Sequence, residues 1–457
     1  MARLVVIGGG AAGMSAASAA RRTDPGLEVV VCEAGGFAAY GMCGIPYYLG
    51  GIVPEAEDLL AYRPAVFRDQ RGIDLRLHTR VTRIDPVAHR VHVAGTETGT
   101  GTGQWLAYDA LVAATGADPV RPPVPGLDHP RVFTVRSLDE AVELRRLLAG
   151  GTVRRAVVVG AGYVGLEAAE ALVTAGAEVE VVEAAPEVLG VVDTPVAALA
   201  QAEVERHARL RLNTRLEAVH AGSGDLAVLA GGARIPADLV VVATGVRPAA
   251  RLLAEAGAAS LPDGSVRVDR EMRTSLPDVF AAGDAVALPH LVLDRPAWLP
   301  LGPAANKTGR VAGTVAAGGR ASFAGVVGTA VVKVFGLEVA RTGLGLGEAR
   351  AAGLDAVATD VTSRSRARYY PGSVPLHVRL VHTHGGRLLG GQLAGAEGAA
   401  KRVDVLATAL HAGFTVTDLA ALDLSYAPPF APVYDPVLAA ANQAVCELTA
   451  LTPGGSS

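Results

Sequence analysis

One cysteine in this chain stands where a thiol can do chemistry. Cys43 lies in Tyr40-Gly41-Met42-Cys43-Gly44-Ile45-Pro46-Tyr47-Tyr48, between glycines that leave its sulfur open to a flat ring or a bulky disulfide. If Pro46 opens a helix, the sulfur sits near that helix's N-terminus, where unpaired amides and the dipole favour the thiolate. A thiolate is the nucleophile that disulfide exchange requires. The other cysteines, Cys32 and Cys446, form no closely spaced pair with it. Its oxidised form is then a mixed disulfide with a small thiol, or a sulfenic acid, and not an internal disulfide. Cys32 at a strand end and Cys446 within an apolar helix, Val437 to Leu448, read as packing. The plain alternative for Cys43 is the same, a small residue packing a helix start; the elements upstream argue for chemistry.

Those elements are two copies of one unit. Arg3 to Ile7 reads as a buried parallel strand, followed by Gly8-Gly9-Gly10-Ala11-Ala12-Gly13, a helix from Met14 to Arg22, and a second strand from Glu28 to Cys32 that ends on Glu33. This is a dinucleotide fingerprint. Gly8 makes the tight turn, Gly10 lets backbone approach a pyrophosphate, Gly13 allows helix packing, and Glu33 accepts from a ribose hydroxyl. The unit recurs as Arg155 to Val159, Gly160-Ala161-Gly162-Tyr163-Val164-Gly165, a helix to about Ala175, and Glu178 to Val182 ending on Glu183. Two units imply two dinucleotides. No arginine follows Glu183 at Ala184 or Ala185, and a carboxylate repels a 2′-phosphate, so the second site favours NADH over NADPH.

Two more apolar strands end alike, in Ala114-Thr115-Gly116 and Ala243-Thr244-Gly245, and read as crossings between the two nucleotide domains. The strand before Ala282-Gly283-Asp284 ends in a turn. Alone, that turn reads as a strand-to-helix connection with Asp284 as N-cap; beside two fingerprints it reads as a flavin contact, with a helix from Asn306 to Ala317 to follow. Thr96 to Gly103 is a Thr/Gly-rich hairpin tip. From about Phe323 the pattern changes to an α+β segment with strands such as Gly328 to Phe335 and Leu376 to His382, and helices at Leu346 to Ala352 and Arg402 to Ala412. Lys401 and Arg402 read as a solvated helix face.

Length and charge agree with this division. A chain of 457 residues, 50% hydrophobic, is too long for one core and fits about three domains. Its net charge of -4, from 41 basic and 45 acidic residues without long runs, offers no footprint for nucleic acid. No apolar stretch is long enough to span a membrane, no signal peptide precedes Gly8, and no zinc or other metal pattern occurs. The expectation is a soluble, cytoplasmic protein.

The two fingerprints, the Thr-Gly strand ends and the Ala-Gly-Asp turn together resemble the pyridine nucleotide-disulfide oxidoreductases over essentially the whole chain. Within that family, Cys43-Gly44-Ile45-Pro46-Tyr47-Tyr48 and Leu424-Ser425-Tyr426-Ala427-Pro428-Pro429-Phe430 resemble coenzyme A-disulfide reductases, a subgroup with polysulfide reductases and some NADH oxidases. The resemblance implies an α/β fold with two Rossmann-like domains, for FAD (1-118 and 246-322) and for NAD(P)H (119-245). It adds a C-terminal α+β dimerisation domain (323-457) and a homodimer.

It also implies residue roles. FAD is held by Gly8, Gly10, Gly13 and Glu33, with Thr115, Gly116, Gly283 and Asp284 around it. NAD(P)H is held by Gly160, Gly162, Gly165, Glu183 and Gly245, with Glu167 near the nicotinamide. Tyr426, with Tyr369 or Tyr370, stands near the redox cysteine of the other subunit. Arg22 and Arg21 match basic positions used for coenzyme A phosphates, and Tyr40 and Met42 flank the substrate. Peroxide-reducing and water-forming relatives carry a histidine in the first glycine loop, where this chain has Ala11. Similar reductases often show Ser-Phe-Xaa-Asn before the cysteine, where Ala39-Tyr40-Gly41-Met42 stands here, and the chain ends at Ser457 without an appended rhodanese-like domain.

On this reading electrons pass from NADH, by way of the flavin, to a mixed disulfide of Cys43 with coenzyme A, and the freed thiolate attacks the next disulfide or polysulfide. A peroxide-forming NADH oxidase and a redox-sensing flavoprotein that scarcely turns over are the competing readings.

Overall fold

The computed structural model describes residues 2–94, 103–222 and 226–451. All of the expected hairpin tip except Gly103 lies outside the described residues.

Five short apolar strands form the first sheet, in the order Val279–Ala281, Ala110–Ala113, Arg3–Ile7, Glu28–Cys32, Ile73–Arg76, all parallel. Runs such as Leu4-Val5-Val6-Ile7 are apolar on both faces because helices cover both faces of a parallel sheet. The second sheet repeats the plan with Arg209–Arg211, Glu178–Val182, Arg155–Val159, Leu239–Val242 and Val132–Phe133. Registers match as well. Ile7 is level with Cys32 and Ala113, and Val159 with Val182 and Val242, so each glycine loop leaves its sheet beside a Thr-Gly strand end.

That junction is too tight for side chains. Gly8 and Gly160 sit at φ +98° and +103°, and a Cβ on either would lie 2.3 Å from a carbonyl oxygen, of Ala114 and Ala243 respectively. The two crossings pair with each other as an antiparallel ribbon, Ala117–Pro119 with Val246–Pro248.

Several boundaries differ from the sequence reading. The first helix runs Ala11–Thr23, because Gly10 already serves as its N-cap. Asp284 caps no long helix: it lies in a single turn, and an antiparallel pair, Val286–His290 with Arg295–Ala297, separates it from the helix Gly302–Ala316. That helix crosses the first one closely. A Cβ at Gly309 or Gly313 would come within 2.1 or 2.0 Å of the carbonyl oxygens of Ala12 and Ala16. The crossing also seats the Asp284 turn, since the Gly283 amide donates to Thr308 Oγ1 at 3.1 Å. Each nucleotide unit carries a three-stranded meander, Arg80–Asp85 with Arg90–Ala94 and Gln104–Ala107, and Leu216–Ala221 with Leu226–Ala230 and Ala233–Ala237, of which the sequence reading marked only the hairpin between Arg90–Ala94 and Gln104–Ala107.

The C-terminal part is a five-stranded antiparallel sheet, ordered Ala330–Val334, Leu337–Gly343, Leu388–Gly395, Pro375–Thr383, Ala356–Arg364. The helices Ala399–Ala412 and Pro436–Leu451 pack on it. Among the described residues no helix is long and apolar enough to cross a membrane, and no group of three or more His, Cys, Asp or Glu residues is placed to hold a metal.

Candidate active site

Cys43 occupies the middle of a single turn, Met42–Gly44, that runs into the short helix Ile45–Leu49 with Pro46 in its first turn. Glycines make the turn possible: the Gly41 amide reaches the Leu59 carbonyl at 2.8 Å, and a Cβ on Gly44 would strike the Leu59 side chain at 2.4 Å. Ile45, Tyr48 and Leu49 are buried in the same apolar cluster as Leu138, Leu144 and Leu166 of the second unit. The cysteine therefore follows the second strand of the first unit and is anchored on helices of the second.

The surroundings do not favour the thiolate as a helix N-terminus alone would. The helix is five residues long, so its dipole is small. Although Cys43 is exposed, partial desolvation pushes its thiol up, and the carboxylates of Glu167 and Asp284 push it further. Its own backbone amide and the Arg136 guanidinium pull the other way. Glu167 itself is pushed up to about 7, by burial first and then by Glu170. Glu170 is held by Lys333 and by the Phe335 amide at 2.8 Å, a link to the C-terminal sheet.

Arg136 was not visible to sequence reasoning. Its Nη1 lies 2.7 Å from Met42 Sδ, its Nε donates to the Ala117 carbonyl at 2.9 Å, and its Nη2 stands 3.5 Å from Asp284 Oδ2. The guanidinium thus joins the cysteine turn, the crossing and the Gly-Asp turn. A local signal exists only in the structure: Val135, just before it, is held at φ +55°, a conformation that a β-branched residue adopts only under constraint.

The two glycine loops have the open backbone that a pyrophosphate cradle requires. Gly10 and Gly162 are helix N-caps with matching backbone angles, and a Cβ on either would meet nothing within 4 Å. Neither helix has a side-chain cap or an acidic residue in its first turn, so the N-terminal amides are open to an anion. Gly13 and Gly165 keep helix and loop in contact, each with room for no Cβ against the carbonyl of Gly8 or Gly160 at 1.9 Å. Glu33 accepts from the amides of Gly9 and Gly35 at 2.6 and 2.7 Å; Glu183 accepts from Ala161 and Ala185 at the same two distances. These bonds aim each carboxylate at its own cradle. Thr115 and Thr244 are committed elsewhere, their hydroxyls donating to the carbonyls of Ala249 and Val120 at 2.7 and 2.8 Å to pin the crossings. Gly116, Gly245 and Gly283 all take left-handed backbone angles at the turns that border the cradles.

The expected substrate-binding residues fall in different settings. Tyr40 is half-buried and bridges to Leu60, and burial pushes its hydroxyl up. Met42 is half-buried against Arg136. Arg21 spends its guanidinium on the carbonyls of Arg71, Pro25 and Leu27 at 3.1, 2.6 and 2.7 Å, closing the end of the first helix. Arg22 is exposed and makes no ion pair among the described residues. Ala39 is held at φ +53° by backbone bonds to Gly9 and Ala61, so this position is fixed by main chain whatever its side chain.

Tyr426 and Tyr369 are exposed on the C-terminal part, and a hydrogen bond between their hydroxyls pushes Tyr369 up. Tyr370 lies half-buried beneath the Arg366 guanidinium. Among the described residues, no hydrogen bond or ring contact joins these tyrosines to Cys43 of the same chain.

Comparison with known proteins agrees with this arrangement. Residues 2–309 match the pyridine nucleotide-disulphide oxidoreductase family and residues 329–436 its dimerisation domain. The chain is 38% identical over 442 residues to the NAD(P)H sulfur oxidoreductase (CoA-dependent) of Pyrococcus furiosus, covering 96% of this chain and 98% of that protein. It is 28% identical to the coenzyme A disulfide reductase of Staphylococcus haemolyticus, over 94% and 96% of the two chains. The solved structure of an NAD-dependent persulfide reductase from A. fulgidus superimposes with a TM-score of 0.94 at 39% identity, covering 99% of this chain and 84% of that one. With FAD and NAD(P)H as its cofactors, the chain belongs to the pyridine nucleotide-disulphide oxidoreductase family.

Proposed function

We propose that this protein is an FAD-dependent reductase, working as a homodimer, that uses NAD(P)H to reduce coenzyme A disulfide or a coenzyme A persulfide through Cys43. The observation that carries the reading is the place of Cys43, exposed at the seam of two nucleotide units with no second cysteine near it. In this reading residues 1–118 and 246–322 form the FAD unit, 119–245 the NAD(P)H unit and 323–457 the dimerisation unit. NADH is preferred because Glu183 directs its carboxylate to the place a 2′-phosphate would occupy.

The thiolate of Cys43 attacks one sulfur of R–S–S–R′, forming Cys43–S–S–R and expelling R′S⁻. Two electrons from NADH then break the Cys43–S–S–R bond, releasing RS⁻ and regenerating the thiolate. Both products take up protons, so NADH, H⁺ and the disulfide give NAD⁺ and two thiols. When bound, FAD supplies the two-electron link between the hydride donor and the sulfur. Partial desolvation first, and then the carboxylates of Glu167 and Asp284, push the Cys43 thiol up, while its own backbone amide and Arg136 pull it down towards the attacking thiolate. Tyr426 of the partner subunit donates a proton to the departing thiolate, and Arg22 meets a phosphate of the coenzyme.

Between the two substrates, identity favours the persulfide. The relatives named for coenzyme A-dependent sulfur or persulfide reduction match at 36–38%, against 28% for the coenzyme A disulfide reductases. Inorganic polysulfide is the nearest alternative. A relative from Methanocaldococcus jannaschii named NADH oxidase is 32% identical, which makes oxidase activity the second reading. Steady-state NADH oxidation by holoprotein with each sulfur substrate tests the reading. Cys43→Ser should lose at least about a thousandfold in rate on all of them while its flavin is still bleached by NADH. Undiminished oxygen-dependent turnover as the major activity of both proteins would favour the oxidase instead.

A further inference from the structure

Arg402 stands beside exposed Lys401 near the start of the helix Ala399–Ala412, where sequence gives it a solvated face. The structure instead leaves it part-buried. Its side chain is 11% exposed and that of its partner Asp435 10%, and every guanidinium nitrogen is spent inside the protein. Nε donates to Asp435 Oδ2 at 2.7 Å, Nη1 to the Gly398 carbonyl at 3.2 Å, and Nη2 to the carbonyls of Ser365 at 2.9 Å and Phe430 at 3.2 Å. Gly398, at φ +91°, leaves the lane for it, since a Cβ there would lie 2.2 Å from Nη1.

Three of these acceptors belong to separate segments. Ser365 opens the turn between the strands Ala356–Arg364 and Pro375–Thr383, and that turn carries Tyr369 and Tyr370. Phe430 closes the loop that carries Tyr426. Asp435 begins the last helix, where its Oδ1 accepts from the Val437 amide at 2.9 Å. Turn and loop also touch directly, the Ala367 amide donating to the Pro428 carbonyl at 3.2 Å, and farther out the hydroxyls of Tyr369 and Tyr426 meet. A planar five-donor fork can serve this many acceptors at fixed angles, and a lysine cannot.

We propose that Arg402 is a positioning residue for the thiol chemistry, tying the Ser365 turn and the Phe430 loop to one guanidinium so that Tyr369 and Tyr426 present their hydroxyls as a fixed pair. This rests on the reading of Tyr426 as the group that meets substrate. Because the nitrogens of Arg402 bond to protein acceptors, its effect belongs to the sulfur half of the cycle, through the tyrosines, and not to NADH binding.

A mutant cycle on the holo-dimer, with coenzyme A disulfide as substrate, tests it. Arg402→Lys keeps the charge beside Asp435 and loses the fork. It should lower kcat about tenfold and leave the KM for NADH and the flavin content unchanged. Tyr426→Phe should be slow as well, and the double variant no slower than Tyr426→Phe alone, because both changes remove one contribution. Should Arg402→Lys fail to fold, the pair Arg402→Met with Asp435→Asn removes both charges of the ion pair together and enters the same cycle. Losses that multiply in the double variant, or an Arg402→Lys protein at full rate, overturn the inference alone. A fully active Tyr426→Phe sinks the tyrosine reading and the inference with it.

Discussion

The two nucleotide units share a frame and differ in what they do with the segment after the second strand. Strand order, register, loop geometry and the bonds of Glu33 and Glu183 are nearly superimposable descriptions. In the first unit the chain beyond Glu33 runs through Gly35 and Ala39 to the Cys43 turn. In the second, the chain beyond Glu183 bends under its own glycine loop, the Leu189 amide donating to the Ala161 carbonyl at 2.9 Å, and then docks on the C-terminal sheet. Asp193 makes that contact, accepting from Arg379 at 2.7 Å and from the Leu346 amide at 3.1 Å. One unit sends this segment to the Cys43 turn and the other to the C-terminal part. The Rossmann frame fixes where a dinucleotide lies; the segment that leaves it decides what the dinucleotide serves.

The comparison can be broken at matched positions. Gly8→Ala and Gly160→Ala force a Cβ against a carbonyl oxygen at 2.3 Å, and each should cost about 2–4 kcal/mol of stability, read by denaturant unfolding. A milder pair is sharper. Gly10→Ala and Gly162→Ala meet no protein atom, so the fold should be unchanged while affinity falls about tenfold or more, for FAD in the first variant and for NADH in the second. Loss of FAD from Gly162→Ala would show that the cradles are assigned to the wrong nucleotides. Replacing Glu183 by Ala together with Ala184→Arg should raise the NADPH to NADH ratio of kcat/KM by about tenfold to a hundredfold, with flavin content constant.

The smallest effects concern Glu167. Its folded value, about 7, lies above the ordinary 4.5, so the native state favours the protonated acid. That contribution is complete below about pH 4.5 and is lost as pH rises through 7. Glu167→Gln should therefore gain stability over wild type at pH 8, by at most about 3 kcal/mol, and show no gain near pH 4. The same substitution removes a charge that raises the Cys43 thiol, so alkylation of Cys43 at pH 8 should speed up several-fold, the difference fading below pH 7. Slower alkylation would contradict the electrostatic account of the site.

How much of this was legible in the sequence follows from distance along the chain. The glycine cradles and their acids are contiguous patterns whose physics is local, and they read correctly as strand, turn, helix and strand. Arg136 and Arg402 are not local. Each is defined by acceptors on segments remote in sequence, and Arg402 next to Lys401 offered only the pattern of a charged helix face. The state of the Cys43 thiol failed for the same reason. A helix start is visible in Pro46, whereas Glu167 and Asp284 come to the sulfur only through the fold. The meanders and the pair Val286–His290 with Arg295–Ala297 are short strands whose alternation is too brief to separate from loop.

The central claim is that Cys43 carries a single-thiol redox cycle, and intact mass spectrometry of the purified, non-reduced protein tests it most directly. The account predicts a disulfide adduct of coenzyme A mapped to Cys43, released when NADH is added. A free or merely sulfenylated Cys43 that forms no adduct even after exposure to coenzyme A disulfide would contradict it.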